Sequence, residues 1–235
     1  MRLVERPSPN CDARPGGAAI DMLVLHYTGM PTAAVALDRL LDPAAKVSAH
    51  YVIDEDGSVV AMVPERQRAW HAGVSWWQGR GALNDVSLGI ELVNPGHEWG
   101  YRPFPGPQMA ALVELAVRLT RRWQIAPDRV VAHSDIAPAR KEDPGELFEW
   151  QCLAAEGLCL AAPSAAAATA DPDLAAAALS AFGYPGAAQG VPPAMLWRAF
   201  QRRWRPACCD GVLDDATTGL ALAVAGLRAG STATR

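Results

Sequence analysis

The sequence predicts an α/β fold in which a mixed central β-sheet is flanked by helices and followed by a small three-helix C-terminal domain. Short apolar and β-branched runs alternate with helical patterns over the first 150 residues. The composition then changes to seven alanines within residues 161–170, and only helical periodicity follows. We therefore expect residues 1–160 to form the α/β domain, residues 161–172 an Ala-rich linker, and residues 173–235 the helical domain.

Five segments, two of them joined by a hairpin signal, define the predicted strands of the first domain. Residues 22–27 are mostly apolar, as in a strand buried at the centre of a sheet. Residues 48–54 and 58–63 flank an Asp-Gly step, which predicts a β-hairpin. Residues 86–93 and the short run Val130-Val131 predict two further strands.

Helical periodicity occurs in both domains. Residues 31–41 and 108–124 predict helices of the first domain, and the second of these carries one clear apolar face. Residues 174–182, 193–204 and 215–227 predict the three helices of the second domain. The expected core of this small domain is made of its large apolar side chains: Phe182, Leu196, Trp197, Phe200, Trp204, Leu213 and Leu220.

Composition excludes several classes of protein. The chain of 235 residues has a formal net charge of -4 and a pI near 5.7, which predicts no nucleic-acid binding. No window approaches the roughly 20 apolar residues of a transmembrane helix, and the first residues lack the apolar core of a secretory signal, so we expect a cytoplasmic protein. The five cysteines form no CxxC pair and are expected to be reduced thiols. The oligomeric state is left open.

Two of the five histidines follow buried strands. His26 ends the first strand and His133 follows Val130-Val131-Ala132, and a Pro-containing acidic loop comes after His133. Two histidines and one carboxylate, with the fourth position left to water, form an open catalytic zinc site. The expected ligands are His26, His133 and Asp143. The alternative is that both histidines are satisfied core residues and that Asp135 or Asp143 caps backbone amides.

Several ordered motifs resemble one known family. The segment 70–92, with Trp70-His71-Ala72-Gly73 near its start and Gly89-Ile90-Glu91-Leu92 at its end, closely resembles the zinc-dependent N-acetylmuramoyl-L-alanine amidases of the second amidase family. Residues 24–28, 47–54 and 133–150 match the same family. The resemblance implies hydrolysis of the amide between N-acetylmuramic acid and the L-alanine of the stem peptide, with one zinc ion per chain.

The resemblance also assigns residues. His26, His133 and Asp143 match the metal ligands of the family, Glu91 its catalytic glutamate and Lys141 its catalytic lysine. The side chains expected to line the substrate groove are Lys46, Arg68, Trp70, Trp76 and Arg140.

Three histidines fall outside these assignments. His50 and His71 are expected to support the pocket rather than bind metal, and His97 receives no role.

The C-terminal segments resemble a second known module. Residues 197–204 and 210–218 are similar to a peptidoglycan-binding helical module. The alternative is a small packing domain that does not bind glycan.

The expected function is the recycling of muropeptides, which carry a 1,6-anhydro sugar, in the cytoplasm. Two alternatives remain open. One is an exported amidase that acts on intact murein, and the other is a peptidoglycan recognition protein that binds without cutting.

Overall fold

A computed structural model describes residues 2–232 of the chain. Met1 and residues 233–235, the outermost residues of the two expected domains, lie outside the described part. The strands are β1 (Leu3–Glu5), β2 (Cys11–Ala13), β3 (Met22–Tyr27), β4 (Tyr51–Ile53), β5 (Val59–Ala61), β6 (Gln67–Ala69), β7 (Ser87–Leu92) and β8 (Val130–Ala132). The helices are α1 (Ala33–Leu41), α2 (Gly96–Trp99), α3 (Gly106–Trp123), α4 (His133–Ile136), α5 (Trp150–Ala155), α6 (Pro172–Phe182), α7 (Pro193–Trp204) and α8 (Asp215–Thr232).

Six strands form one mixed sheet in the order β1-β5-β4-β7-β3-β8. β3 lies between β7 and β8 and is parallel to both, whereas β4 and β5 form the antiparallel hairpin that the Asp-Gly step predicts. β2 and β6 pair separately as a small antiparallel ribbon. The predicted α/β class with a mixed sheet is therefore confirmed.

Strand register brings the polar residues of the sheet together. His26 on β3 pairs directly with Glu91 on β7. On the other side of β3, Leu25 pairs with Ala132, so His133 follows at the same edge. Because all three strands are parallel, these side chains meet at one carboxyl edge, where α/β proteins commonly place their sites.

The first face of the sheet carries a large apolar core. Leu23 and Leu25 of β3 point to this face, as do Ile90 and the alternate leucines of β7. They pack against the buried side of α3, including Leu112 and Leu115. The alternation follows from the two-residue period of a strand, which sends every second side chain to this face.

The second face has two different coverings. Met22 and Val24 of β3 share a core with Phe200 of α7 and Leu220 of α8. Farther along the sheet, Val52 of β4 packs with α1. The C-terminal helices therefore share an apolar core with the sheet.

The segment between the sheet and the C-terminal helices is neither helix nor strand. Residues 161–170 contain no helix, although their alanines favour one. The Ala166 amide donates to the Gly219 carbonyl of α8 at 3.1 Å. A Cβ at Gly219 would lie 1.9 Å from the Ala166 oxygen, so the crossing requires glycine. The expected domain boundaries, on either side of residues 161–172, stay a prediction.

The three predicted C-terminal helices correspond to α6, α7 and α8. Six of the seven residues predicted as their core are buried, and Leu213 is partly buried against the same cluster. Six elements lacked a sequence prediction: the three-residue strands β1, β2 and β6, and the short helices α2, α4 and α5. Within residues 2–232, no helix combines the length and apolar content needed to cross a bilayer.

Candidate active site

His26, His133 and Asp143 converge at the carboxyl edge of β3 and β8. Their exposed fractions are 1%, 3% and 6%. The Nδ1 atoms of the two histidines lie 2.9 Å apart, and Asp143 Oδ2 lies 2.9 Å from one and 3.0 Å from the other. In tetrahedral zinc sites with bonds of about 2.0 Å, ligand atoms lie roughly 3.3 Å apart. Two nitrogens and one carboxylate oxygen at this spacing fit one divalent metal ion.

The outer nitrogen of each histidine has its own partner. His133 Nε2 donates to the carbonyl oxygen of Ala72 at 3.2 Å. The same carbonyl accepts a hydrogen bond from the guanidinium of Arg140 at 2.9 Å. Since an imidazole with a proton on Nε2 keeps a lone pair on Nδ1, this contact orients His133 as a ligand.

A chain of hydrogen bonds orients His26 in the same way. His26 Nε2 lies 3.1 Å from His71 Nδ1, and His71 Nε2 lies 3.2 Å from the Ser87 hydroxyl oxygen. The Ser87 hydroxyl donates in turn to the Leu83 carbonyl at 2.6 Å. With each imidazole donating from Nε2, Nδ1 of His26 is left free for a metal. His71 therefore supports the pocket, as the sequence predicts.

Burial favours the neutral form of His26 and His50. Desolvation, with a contribution from the charge of His133, lowers the pKa of His26 to about 4. Desolvation and nearby Arg14 lower the pKa of His50 to about 3. The pKa of Asp143 would rise on burial alone, but the two bonded histidines bring it well below its usual range. Neutral imidazoles and an ionised carboxylate are the forms that bind a metal.

Glu91 lies beside His26 on β7 and lines the same cavity. Its Oε2 atom is buried and has no hydrogen-bond partner in the described chain. Desolvation and the negative charge of Asp143 raise the pKa of Glu91 well above its ordinary value. A carboxylate of raised pKa, with one oxygen available, is suited to accept and return a proton near neutral pH.

His50 and Gly89 lie next to residues of the site. His50 Nδ1 accepts a hydrogen bond from the Gly89 amide at 3.0 Å, which fixes β7 next to Glu91. A Cβ at Gly89 would lie 2.5 Å from Cγ of His71, so only glycine leaves room for that ring. The sequence prediction of a supporting role for His50 agrees with this contact.

A cavity of about 450 Å³ opens over these residues. Its cationic side chains are Arg39, Arg140 and Lys141, and its acidic ones include Glu91, Glu98 and Glu142. Lys141 lies two residues before Asp143 and is half-buried. Both predicted catalytic residues therefore lie in the cavity that contains the three predicted metal ligands.

The five residues predicted for the substrate groove fall into two groups. Trp70 and Arg140 line the cavity. Lys46, Arg68 and Trp76 lie outside its lining.

Contacts of the groove candidates explain part of this division. Arg68 forms ion pairs with Asp12 at 2.6 Å and with Asp85 at 2.7 Å. The amide of Trp76 donates to the Ile136 carbonyl. Neighbouring Trp77 is buried against Phe182 and Tyr184.

Asp135 has the capping role that one sequence alternative assigned. Its Oδ2 accepts from the Ala132 amide at 2.9 Å, and its Oδ1 accepts from the Tyr184 hydroxyl at 2.6 Å.

The roles of Ser87 and of the Ala72 carbonyl were not predicted from the sequence. The contacts of both depend on loops that bring residues far apart in the chain together, such as His26 and His71, which are 45 positions apart.

Fold and site together define a class of protein. A buried His-His-Asp group with one side open to a cavity, next to a carboxylate on the adjacent parallel strand, is the arrangement of a mononuclear metallohydrolase. The sequence profile of the amidase family described as N-acetylmuramoyl-L-alanine amidase matches residues 16–146, more than half of the chain. The chain belongs to this family.

Two curated relatives show the extent of sequence similarity. The N-acetylmuramoyl-L-alanine amidase AmiD of Escherichia coli is 40% identical over 172 residues, which are 66% of this chain and 61% of AmiD. The 1,6-anhydro-N-acetylmuramyl-L-alanine amidase AmpD of Haemophilus influenzae is 36% identical over 162 residues, which are 61% of this chain and 86% of AmpD.

Solved structures extend the similarity to the C-terminal helices. The complex of E. coli AmiD with anhydro-N-acetylmuramic acid-L-Ala-D-gamma-Glu-L-Lys matches with a TM-score of 0.80 and 33% identity, over 91% of this chain and 92% of that one. AmpDh3 of Pseudomonas aeruginosa matches with a TM-score of 0.75 and 31% identity, over 91% of this chain and 93% of that one. A structure of AmpD covers 68% of this chain, with a TM-score of 0.53.

Proposed function

We propose that this protein is a zinc-dependent N-acetylmuramoyl-L-alanine amidase. It hydrolyses the amide between the lactyl group of N-acetylmuramic acid and the L-alanine of the stem peptide, in muropeptides with a 1,6-anhydro sugar, during peptidoglycan recycling. The observation that carries the proposal is the convergence of His26, His133 and Asp143 beside Glu91 in one open cavity. The substrates named for AmiD and AmpD support the choice of bond and sugar.

The reaction needs help because amide resonance makes the scissile carbonyl a poor electrophile. One zinc ion held by His26, His133 and Asp143 would supply Lewis acidity and lower the pKa of water to about 7. The protein must then provide a proton carrier, a positive charge near the developing oxyanion, and a fixed position for the substrate.

Glu91 is the proton carrier. Its buried Oε2 has no partner in the described chain, and its pKa is raised by burial and by Asp143. The carboxylate accepts a proton from the attacking water and returns it to the amine of L-alanine as the C–N bond breaks. General acid–base catalysis of this kind contributes about 10²–10⁴-fold.

Lys141 supplies the positive charge. Its side chain lines the cavity and is close enough to Glu91 and His26 to influence the pKa of both. A preorganised donor at the oxyanion is commonly worth about 3 kcal/mol.

Substrate binding is assigned to the cavity wall. Trp70 offers an aromatic surface, and Arg140 and Arg39 place positive charge in the cavity that would attract an anionic stem peptide. Lys46, Arg68 and Trp76 remain candidates for more distant parts of the substrate, since they lie outside the cavity lining.

The compartment is proposed to be the cytoplasm. All five cysteines are free thiols, which fits a reducing environment. Fractionation of cells that produce the tagged native gene product tests this location, and recovery from the envelope would favour an exported enzyme.

One experiment tests the function as a whole. The purified protein is analysed for metal content and assayed for stem-peptide release from anhydro-muropeptide and from intact murein sacculi. Zinc near one ion per chain, with cleavage of the soluble fragment, is expected. Comparable cleavage of sacculi would indicate a cell-wall hydrolase instead, and zinc without cleavage of either would indicate a recognition protein.

A further inference from the structure

Helix α7 contacts the loop that carries Asp143 through one buried arginine. Arg202 is 8% exposed. One terminal nitrogen of its guanidinium lies 3.2 Å from Glu142 Oε1, and its Nε lies 3.7 Å from Glu146 Oε2. Glu142 precedes Asp143 in the chain and Glu146 follows it. A single side chain of the C-terminal helices therefore contacts residues on both sides of a predicted metal ligand.

The same glutamates are linked to the other side of the cavity. His97 Nε2 lies 3.2 Å from Glu146 Oε2, and the Tyr27 hydroxyl lies 2.9 Å from His97 Nδ1. Tyr27 directly follows His26 on β3. The charged network therefore joins the strand that carries one metal ligand to the loop that carries another.

A second polar contact holds the beginning of this segment. The Tyr184 hydroxyl, which lies between α6 and α7, donates to Asp135 two residues after His133. Trp204 Nε1 donates to that hydroxyl at 3.0 Å. The C-terminal helices and the residues between them therefore contact residues 133–146 at both ends.

Negative charge is concentrated at the C-terminal end of this segment, which explains the need for a cation there. Glu142, Asp143 and Glu146 place three carboxylates within five residues, and Asp143 is buried. Carboxylates this close repel one another, and a guanidinium offers several donors in one fixed plane. The positive charge of Arg202 offsets the negative charges of Glu142 and Glu146.

We infer that Arg202 is a positioning residue for the metal centre. It holds residues 137–146 so that Asp143 reaches both histidines and Lys141 faces the cavity. The inference rests on the proposed metal-dependent function and gives the C-terminal helices a role other than glycan binding.

The test compares Arg202→Leu and Arg202→Lys with the control Arg198→Leu, one turn earlier on α7. Arg198 lies on the exposed side of α7, and its guanidinium donates to the Asp210 carbonyl at 3.1 Å. The readouts are zinc Kd by chelator competition, amide hydrogen exchange of residues 137–146 in the metal-free protein, kcat and KM, with thermal unfolding as a check on folding.

We expect Arg202→Leu to weaken zinc binding by about 10–100-fold, the usual range for residues that orient metal ligands. Exchange of residues 137–146 should accelerate, and kcat should fall at least about tenfold with KM changed less than about threefold. Arg202→Lys should restore part of the zinc affinity, because a lysine keeps the charge but not the planar fork. Arg198→Leu should match the wild type in every readout.

A mutant cycle separates positioning from general stability. In a Glu142→Gln/Glu146→Gln background, Arg202→Leu should change zinc Kd by less than about twofold, because its partners no longer carry charge. A full additional loss in that background would overturn the inference, as would wild-type zinc Kd and exchange in Arg202→Leu. If Arg202→Leu does not fold, Arg202→Lys and the glutamine pair give the same comparison.

Zinc affinity and exchange need no substrate. If the wild type binds zinc but cleaves no muropeptide, the proposed amidase activity fails while these two readouts still decide the role of Arg202.

Discussion

The two faces of the central sheet are built from the same strands, but one forms a hydrophobic core and the other also carries the candidate active site. On the first face, Leu23, Leu25 and Ile90 pack against one helix, α3. On the second face, the same two strands carry His26 and Glu91. Because adjacent residues of a strand point to opposite faces, one register supplies both a continuous core and a reactive edge.

The comparison also shows where stability and chemistry can be separated. Packing on the first face stabilises the sheet independently of the chemistry at the site. The second face combines apolar packing against the C-terminal helices with hydrogen-bonded polar groups. Substitutions on the two faces should therefore change different measured quantities.

The largest effect is expected on the second face, at a metal ligand. Asp143→Ala should abolish stoichiometric zinc binding and lower activity by at least about 10⁴-fold, since the Lewis acid is lost. Metal analysis and stem-peptide release check this outcome. Asp38→Asn, an exposed carboxylate of α1 outside the cavity lining, is the control. An Asp143→Ala protein with one zinc and normal turnover would remove this residue from the site.

The next effect separates binding from turnover within the second face. Glu91→Gln should keep one zinc per chain but lose about 10³-fold in kcat, because the amide of glutamine cannot carry a proton. Zinc content and steady-state kinetics measure the two quantities. Stoichiometric metal loss in this variant would show that Glu91 is a ligand rather than a proton carrier.

On the first face, the expected change is in stability. Leu112→Ala removes a fully buried side chain of α3 and should lower the free energy of unfolding by roughly 3 kcal/mol. The folded fraction should keep zinc affinity and kcat within about twofold, as chemical denaturation and kinetics would show. Leu174→Ala, 44% exposed on α6, should cost under about 0.5 kcal/mol. A large loss of kcat in folded Leu112→Ala would contradict the separation of the two faces.

A smaller effect is expected where the second face orients its ligands. Ser87→Ala removes the last side chain of the His26–His71–Ser87 series and should weaken zinc binding about tenfold. Chelator competition measures this change, with Ser58→Ala in the β4–β5 hairpin as a matched control. Unchanged zinc Kd would mean that burial alone orients His71.

The smallest effect concerns the start of α8. Asp214 accepts from the Thr217 amide at 2.7 Å and pairs with Arg205, and Asp214→Ala should cost about 1 kcal/mol of unfolding free energy. The Thr217 hydroxyl and amide, with Arg205, lower the pKa of Asp214 to about 2. The folded pKa lies below the unfolded value of about 3.9, so the stabilisation is complete above that value and disappears as the pH falls towards 2. Denaturation curves of both proteins from pH 7 to 2 measure this, and a difference that persists undiminished at pH 2 would exclude this role.

Periodic segments were predictable from the sequence. The helix predicted over residues 108–124 is α3, Gly106–Trp123, because its apolar spacing is that of an amphipathic helix. The strand ends at His26 and His133 were equally visible. The grouping of His26, His133 and Asp143 was predicted from the two strand ends and the acidic loop and was supported by the family resemblance, and the structure brings these three residues together.

Other features left no local pattern in the sequence. Strands β1, β2 and β6 have three residues each, too few to show a period of two. The contact of Arg202 with Glu142 joins residues that are distant in the chain, and an arginine on a helix gives no indication of its partner. The shared core of the sheet and the C-terminal helices was missed for the same reason.

That shared core has a consequence for synthesis of the chain. Met22, Val24 and Val131 leave the ribosome before residues 173–232, which cover them in the folded protein. At roughly 5–20 residues per second, translation of these last 60 or so residues takes about 3–12 s. During that interval the nascent sheet presents an uncovered apolar strip, so chaperone capture or aggregation of the nascent chain should concentrate there.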